Sequence, residues 1–178
     1  CAVRVGDLPD SSLVSVRMAD NRRLCVATPQ YLQRRGTPTH PGELAQHDCL
    51  TLSSDASQTR GWAFRVPVAG GGGATEVVHF KPGGPLDCSD GQVLHDWCLG
   101  GWGIAWRSTW EVESEIAAGL LVPVLEEFAA PPNGIFVVFP QRKHMPLRVR
   151  LWIEFLKRHY AEPAFWRRSG APMPVSPA

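Results

Sequence analysis

The sequence predicts an α/β fold with a mixed sheet. Three observations carry this. Strand-like and helix-like segments alternate along most of the chain. The strand candidates are short, apolar and bounded by Gly, Pro, Asn and Ser clusters. Several helix candidates open on Ser or Thr and several close on glycine. At 178 residues the chain suits one domain, or two small lobes sharing a hinge.

The elements follow in order. Residues 1–6 alternate, with Cys1, Val3 and Val5 on one face and Ala2, Arg4 and Gly6 on the other, so they predict a half-buried strand. Pro9-Asp-Ser-Ser12 is turn chemistry. Residues 13–27 read as a long strand with a turn or bulge at Ala19-Asp-Asn21. Thr28 is a helix cap, Pro29 suits the first helical position, and Gly36 stops that helix. A loop with one helical turn at 43–46 leads to strands at 49–52, 62–66 and 75–80; the glycine run 70–73 joins the last two. No G-K-[ST] follows those glycines, so they are not a phosphate loop.

A short strand at 86–89 precedes a helix of about residues 90–101, capped by Ser89 and carrying Val93, Leu94, Trp97 and Cys98 on one face. Residues 103–106 form a short buried strand. Ser108-Thr-Trp-Glu111 is a capping box for a helix to Ala118, stopped by Gly119. A strand at 121–125, a break at 129–134 that is a candidate hinge, and a strand at 135–139 follow. Residues 146–160 form an amphipathic helix whose apolar stripe is Val149, Trp152, Ile153, Leu156 and Tyr160. The Pro/Ser/Ala/Arg-rich end is expected to be disordered.

Net charge is +1, so no strong field gathers nucleic acid or an acidic membrane. The apolar runs fall far short of the roughly 20 residues of a membrane span, and no signal-peptide pattern opens the chain. Five cysteines, an odd count without a C-x-x-C pair, point to reduced, buried thiols and a cytoplasmic setting. No G-x-S-x-G, H-E-x-x-H or paired carboxylates suggest an enzyme, and no metal or cofactor is expected.

Several motifs occur together in a recognisable order. They are Val3-Arg-Val-Gly6 with Asp10-Ser-Ser-Leu13; Arg22-Arg-Leu-Cys-Val-Ala-Thr-Pro-Gln-Tyr-Leu32; Pro41-Gly-Glu-Leu44; His47-Asp-Cys-Leu50; and Ser89-Asp-Gly91. Trp62-Ala-Phe64, Gly101-Trp-Gly-Ile-Ala105, Gly119-Leu-Leu-Val-Pro-Val-Leu125, Phe136-Val-Val-Phe-Pro140 and the 146–156 helix complete the set. Over about residues 1–158 the chain resembles the effector-binding domain of LysR-type transcriptional regulators. The resemblance implies two Rossmann-like lobes of the type II periplasmic-binding-protein kind. It puts residues 1–28 and 133–160 in lobe I, 29–132 in lobe II and 161–178 in a tail. It also implies that the first lobe is incomplete, because the family's lobe starts about sixty residues earlier, and that the DNA-binding domain lies outside this chain.

The implied partners are a small-molecule effector, a carboxylate or an aromatic, and further copies in a dimer or tetramer. Promoter DNA would be met only through the missing domain, and no membrane is expected. Candidate effector-binding residues are Val5, Gly6, Thr28, Ser89, Asp90, Gly103 and Ile104. The helix starts at Thr28-Pro29 and Ser89-Asp-Gly91 offer free N–H groups to an anion. Thr28 and Ser89 equally suit plain capping, and Gly103 and Ile104 plain close packing. The alternative function is a transport-type solute-binding protein.

Overall fold

The structure, a computed structural model, describes residues 1–6, 8, 12–53, 61–68, 70, 73–140 and 145–162. Most of the turn expected at 9–12, part of the glycine run and the tail beyond Glu162 lie outside the described residues. The described strands are β1 (Ala2–Val5), β2 (Leu13–Asn21), β3 (Arg23–Ala27), β4 (Cys49–Leu52), β5 (Trp62–Pro67), β6 (Thr75–Phe80), β7 (Asp87–Cys88), β8 (Ile104–Ser108), β9 (Val122–Val124) and β10 (Asn133–Pro140). The helices are α1 (Pro29–Arg35), α2 (Gly91–Leu99), α3 (Thr109–Ala117) and α4 (Leu147–Ala161), with 3-10 turns at Pro41–Gln46 and Glu126–Phe128. Contacts divide the chain into two units. Unit 1 holds Cys1–Arg22, Thr109–Glu113 and the residues from Pro132; unit 2 holds Arg23–Ser108 and Ser114–Pro131.

Unit 1 is an antiparallel sheet in the order β1-β10-β2. Val137, Phe139, Ile153 and Leu156 form its core, with Val16, Met18, Val149 and Tyr160 packed against them. Each such apolar side chain contributes about 1.5–3 kcal/mol when fully buried. The helix stripe needs one correction: Trp152 is 45% exposed and stacks on Phe155 at 5.4 Å. At 100° per residue it lies well round the helix from the axis that Val149, Ile153, Leu156 and Tyr160 share. The N-terminal strand is also not half-buried. All four β1 residues are exposed, because β1 is an edge strand of the described sheet. Residues 133 and 134, expected in the break, are the first two of β10.

The expected long strand at 13–27 is two strands in two sheets. β2 pairs with β10, whereas β3 pairs with β8 and β9. Arg22 stands between them. The two-residue alternation runs across the change of partner, so periodicity alone could not show it.

Unit 2 is built on a five-stranded sheet ordered β7-β4-β8-β3-β9, with β5 and β6 as a separate hairpin. β7, β4 and β8 run parallel; β3 is antiparallel to both β8 and β9. Four consecutive residues of β3, Leu24 to Ala27, are buried, as expected for a strand covered on both faces. Cys25, Ala27, Tyr31, Leu32, Leu44, Cys49, Trp62, Phe64 and Ile104 share one core cluster. Tyr31 is 1% exposed, and its hydroxyl accepts the Asp48 N–H at 3.0 Å and meets His47 Nδ1 at 3.2 Å. A buried phenol needs such a partner. α1 has the expected punctuation: Thr28 Oγ1 accepts the Tyr31 N–H at 3.2 Å, Pro29 opens the helix, and Gly36 stands at φ 84°.

Burial also governs the thiols. It pushes Cys49 up to about 12, against an opposing pull from the Gly83 amide, and Cys98 up to about 12, against the nearby Arg107 charge. Below the unfolded value of 9.0 these thiols are protonated in both states, and their contribution to stability is complete. Above it the unfolded thiols ionise while the buried ones do not, so stability falls as pH rises from there toward about 12. Urea midpoints should therefore drop between about pH 8 and about pH 10.5. In the native chain a disulfide-exchange reagent should label exposed Cys1 and part-exposed Cys88 well before Cys25, Cys49 and Cys98. Equal labelling rates for all five would contradict this.

Candidate ligand site

The register of unit 2 places the candidate residues. On β8, Ser108 lies opposite Arg23 and Ala105 opposite Val26, while Cys49 of parallel β4 lies beside Ile104. One end of the sheet therefore carries Ile104, Cys49 and Ala27. The other carries Arg23, Ser108, Leu52 and, through β7, Cys88. Thr28 follows Ala27, and Gly103 precedes Ile104, so Thr28, Gly103 and Ile104 share the first end. Ser89 and Asp90 follow Cys88 at the second. Arg23 and Thr28 are five residues apart along the chain, about 16 Å. The two helix starts do not converge.

At the first end the fit is close. Gly101 sits at φ 71°, and a Cβ there would come 3.0 Å from Thr28 Oγ1. Arg34 Nη2 donates to the Gly101 carbonyl at 2.8 Å. A Cβ on Gly103 would lie 2.2 Å from the Asp48 carbonyl oxygen. The Ile104 side chain is 0% exposed within the core, and its N–H donates to Asp48 O at 2.9 Å. These three residues pack and cap.

The second end has a different chemistry. The cap of α2 is Asp90 and not the expected Ser89. Its Oδ1 accepts the Gln92 N–H at 2.7 Å and the Val93 N–H at 3.1 Å. The carboxylate suits the role because it lies at the positive end of the helix dipole. Ser89 is exposed beside it. The Cys88 thiol donates to the Asp90 carbonyl at 3.2 Å. Beneath the helix start lies Arg107, 5% exposed, with both terminal nitrogens 3.6 Å from where a Gly91 Cβ would be. On the opposite face of β8, the Arg23 guanidinium sits 4.0 Å from the Trp106 ring centre, and Trp62 stacks on that indole at 6.3 Å. This end sets a buried guanidinium and the exposed Ser89 hydroxyl beside a helix start whose Gln92 and Val93 N–H groups Asp90 already holds.

Sequence reasoning missed Arg107. Its signal was present: an arginine in a short strand whose neighbours Ile104 and Ala105 are apolar. Val5 and Gly6 belong to unit 1. Val5 ends β1, 49% exposed opposite Ile135, and Gly6, at φ 99°, donates its N–H to Gly134 O at 2.9 Å. Among the described residues no cluster of three or more His, Cys, Asp or Glu could hold a metal. No described helix is long and apolar enough to cross a membrane.

The described chain is built of two units, each combining strands and helices. The chain belongs to the LysR substrate-binding family: residues 1–161 match the family described as "LysR substrate binding domain". It is 34% identical over 161 residues to the HTH-type transcriptional regulator DmlR of Escherichia coli K12, covering 90% of this chain and 50% of that protein. Against the regulator CrgA of Neisseria meningitidis serogroup C it is 36% identical over 156 residues, covering 87% and 49%. The solved regulatory domain of Neisseria meningitidis CrgA superposes with a TM-score of 0.68 at 31% identity, covering 89% of this chain and 74% of that one. The crystal structure of a full-length AphB variant superposes at 0.70 with 30% identity, covering 87% and 50%. The chain spans about half the length of the curated relatives it matches. These relatives are transcriptional regulators, not enzymes, and the fold is the two-lobed, type II periplasmic-binding-protein kind of LysR regulatory domains.

Proposed function

We propose that the chain senses a small organic anion, a carboxylate or an aromatic carboxylate. On unit 2 the ligand would meet Ser89, Asp90 and the start of α2 over Arg107, while Val5 and Gly6 remain the candidates on unit 1. The observation that carries the reading is the Arg107 guanidinium, buried near the start of α2, with both terminal nitrogens 3.6 Å from where a Gly91 Cβ would stand. Asp90 already holds a negative charge at that helix start. A second carboxylate there needs the arginine to offset repulsion, and a ligand hydroxyl could use Asp90 or Ser89 as partner.

Binding would favour one arrangement of the lobes and of a dimer or tetramer. A DNA-binding domain outside this chain would read that change at promoter DNA in the cytoplasm. The change can be no larger than the ligand's differential affinity for the two arrangements. Calorimetric titration with benzoate, salicylate and a small hydroxydicarboxylate tests the reading. Saturable binding of at least one supports it. Absence of binding by all three, with a neutral aromatic binding instead, would overturn the anion assignment.

A further inference from the structure

The chain passes between the two units at residues 22/23, 108/109, 113/114 and 131/132. Three side chains of unit 1 lie within two residues of three of these passages: Asn21, Trp110 and Asn133. They are hydrogen-bonded to one another. The Trp110 indole N–H donates to Asn21 Oδ1 at 3.1 Å, and Asn21 Nδ2 donates to Asn133 Oδ1 at 2.8 Å. An indole can only donate, so the bond to Trp110 fixes which end of the Asn21 amide is oxygen. That leaves the amide nitrogen for Asn133.

The backbone repeats the tie. Asn133 lies opposite Asn21 in the β10–β2 register, and the Thr109 N–H donates to Arg22 O at 2.9 Å. Arg17 Nη2 donates to the Asn133 carbonyl at 3.2 Å. Asn21 is 1% exposed, an unusual burial for a carboxamide, and both its ends are satisfied. Trp110 also packs against buried Ile135, on which Ala19 and Tyr160 pack as well.

We propose that Asn21, Trp110 and Asn133 form a clasp that makes three passages of the chain move as one hinge. The clasp lies wholly within unit 1. It acts where the backbone must absorb any change of angle between units, and it replaces three independent pivots by one. Buried polar networks with every member paired rigidify in this way. These are positioning residues, and no contact with a ligand is required of them.

The test places nitroxides at exposed Lys157 of unit 1 and Glu127 of unit 2, through a non-cysteine handle that leaves the thiols intact, and reads the distance distribution between them. Trp110→Phe keeps the ring and removes the N–H. Asn133→Ala cuts the other bond at a part-buried position. Each should broaden the distribution about twofold while far-UV circular dichroism is kept, as expected when a hinge loses its restraint. Ile153→Val, which lowers stability without touching the clasp, should leave the width unchanged. A parent-like width in folded Trp110→Phe would overturn the proposal. If Trp110→Phe does not fold, a parent-like width in Asn133→Ala overturns it, as does equal broadening by Ile153→Val.

Discussion

Gly103→Ala should destabilise unit 2 by about 3 kcal/mol, a large penalty for one methyl group. The added Cβ would stand 2.2 Å from the Asp48 carbonyl oxygen, 3.1 Å from its carbon and 3.2 Å from Leu50 Cδ2. The obstacle is backbone, held by the Ile104 N–H bond to that same oxygen, and cannot swing aside as a flexible side chain would. Gly119→Ala is the control. Its Cβ would meet nothing within 4 Å, and its cost of about 1 kcal/mol comes from the φ of 71° alone. Urea unfolding at constant m-value separates the two. If Gly103→Ala loses no more than Gly119→Ala, the packing of β8 against β4 is looser than the distances state.

Arg107→Met should lower carboxylate affinity about 10- to 100-fold, the equivalent of losing one charge-assisted hydrogen bond in a buried setting. This expectation rests on the proposed anion site. Methionine keeps much of the length and the apolar stem and removes the fork of donors. Arg107→Lys should fall between parent and methionine, since a lysine keeps the charge but not the planar, two-pronged geometry. Titration with the carboxylate that binds the parent, on variants with parent-like circular dichroism, is the measurement. Unchanged affinity in folded Arg107→Met would place the anion elsewhere.

Much of the fold was legible in the residues because its signals are local. Thr28, Pro29 and Gly36 bound α1 as expected. Thr75–Phe80 and Cys49–Leu52 fall where their apolar runs put them. α2 and α3 end close to Gly100 and Gly119. The cap of α2 was misplaced by one residue, since Ser89 and Asp90 are both good caps and only the backbone angles choose between them. Asn21 was less legible. Within Ala19-Asp-Asn21 it reads as a turn residue, yet it is a buried strand end held by Trp110 and Asn133, which are 89 and 112 residues away.

The candidate site shows the same division more sharply. Residue types alone selected two helix starts as places for an anion, because an N-terminal cap and free N–H groups are properties of a few consecutive residues. Which starts share an end of the sheet depends on strand direction and register, and these join residues far apart in sequence. Antiparallel β3 carries Thr28 to one end, and parallel β7 carries Asp90 to the other. Sequence by itself determined the class of fold, most of the elements and the family resemblance, all written in short-range periodicity and ordered motifs. Only tertiary structure decided that Arg107 lies under Gly91 and that Asn21, Trp110 and Asn133 meet, because both follow from long-range pairing that no local pattern encodes.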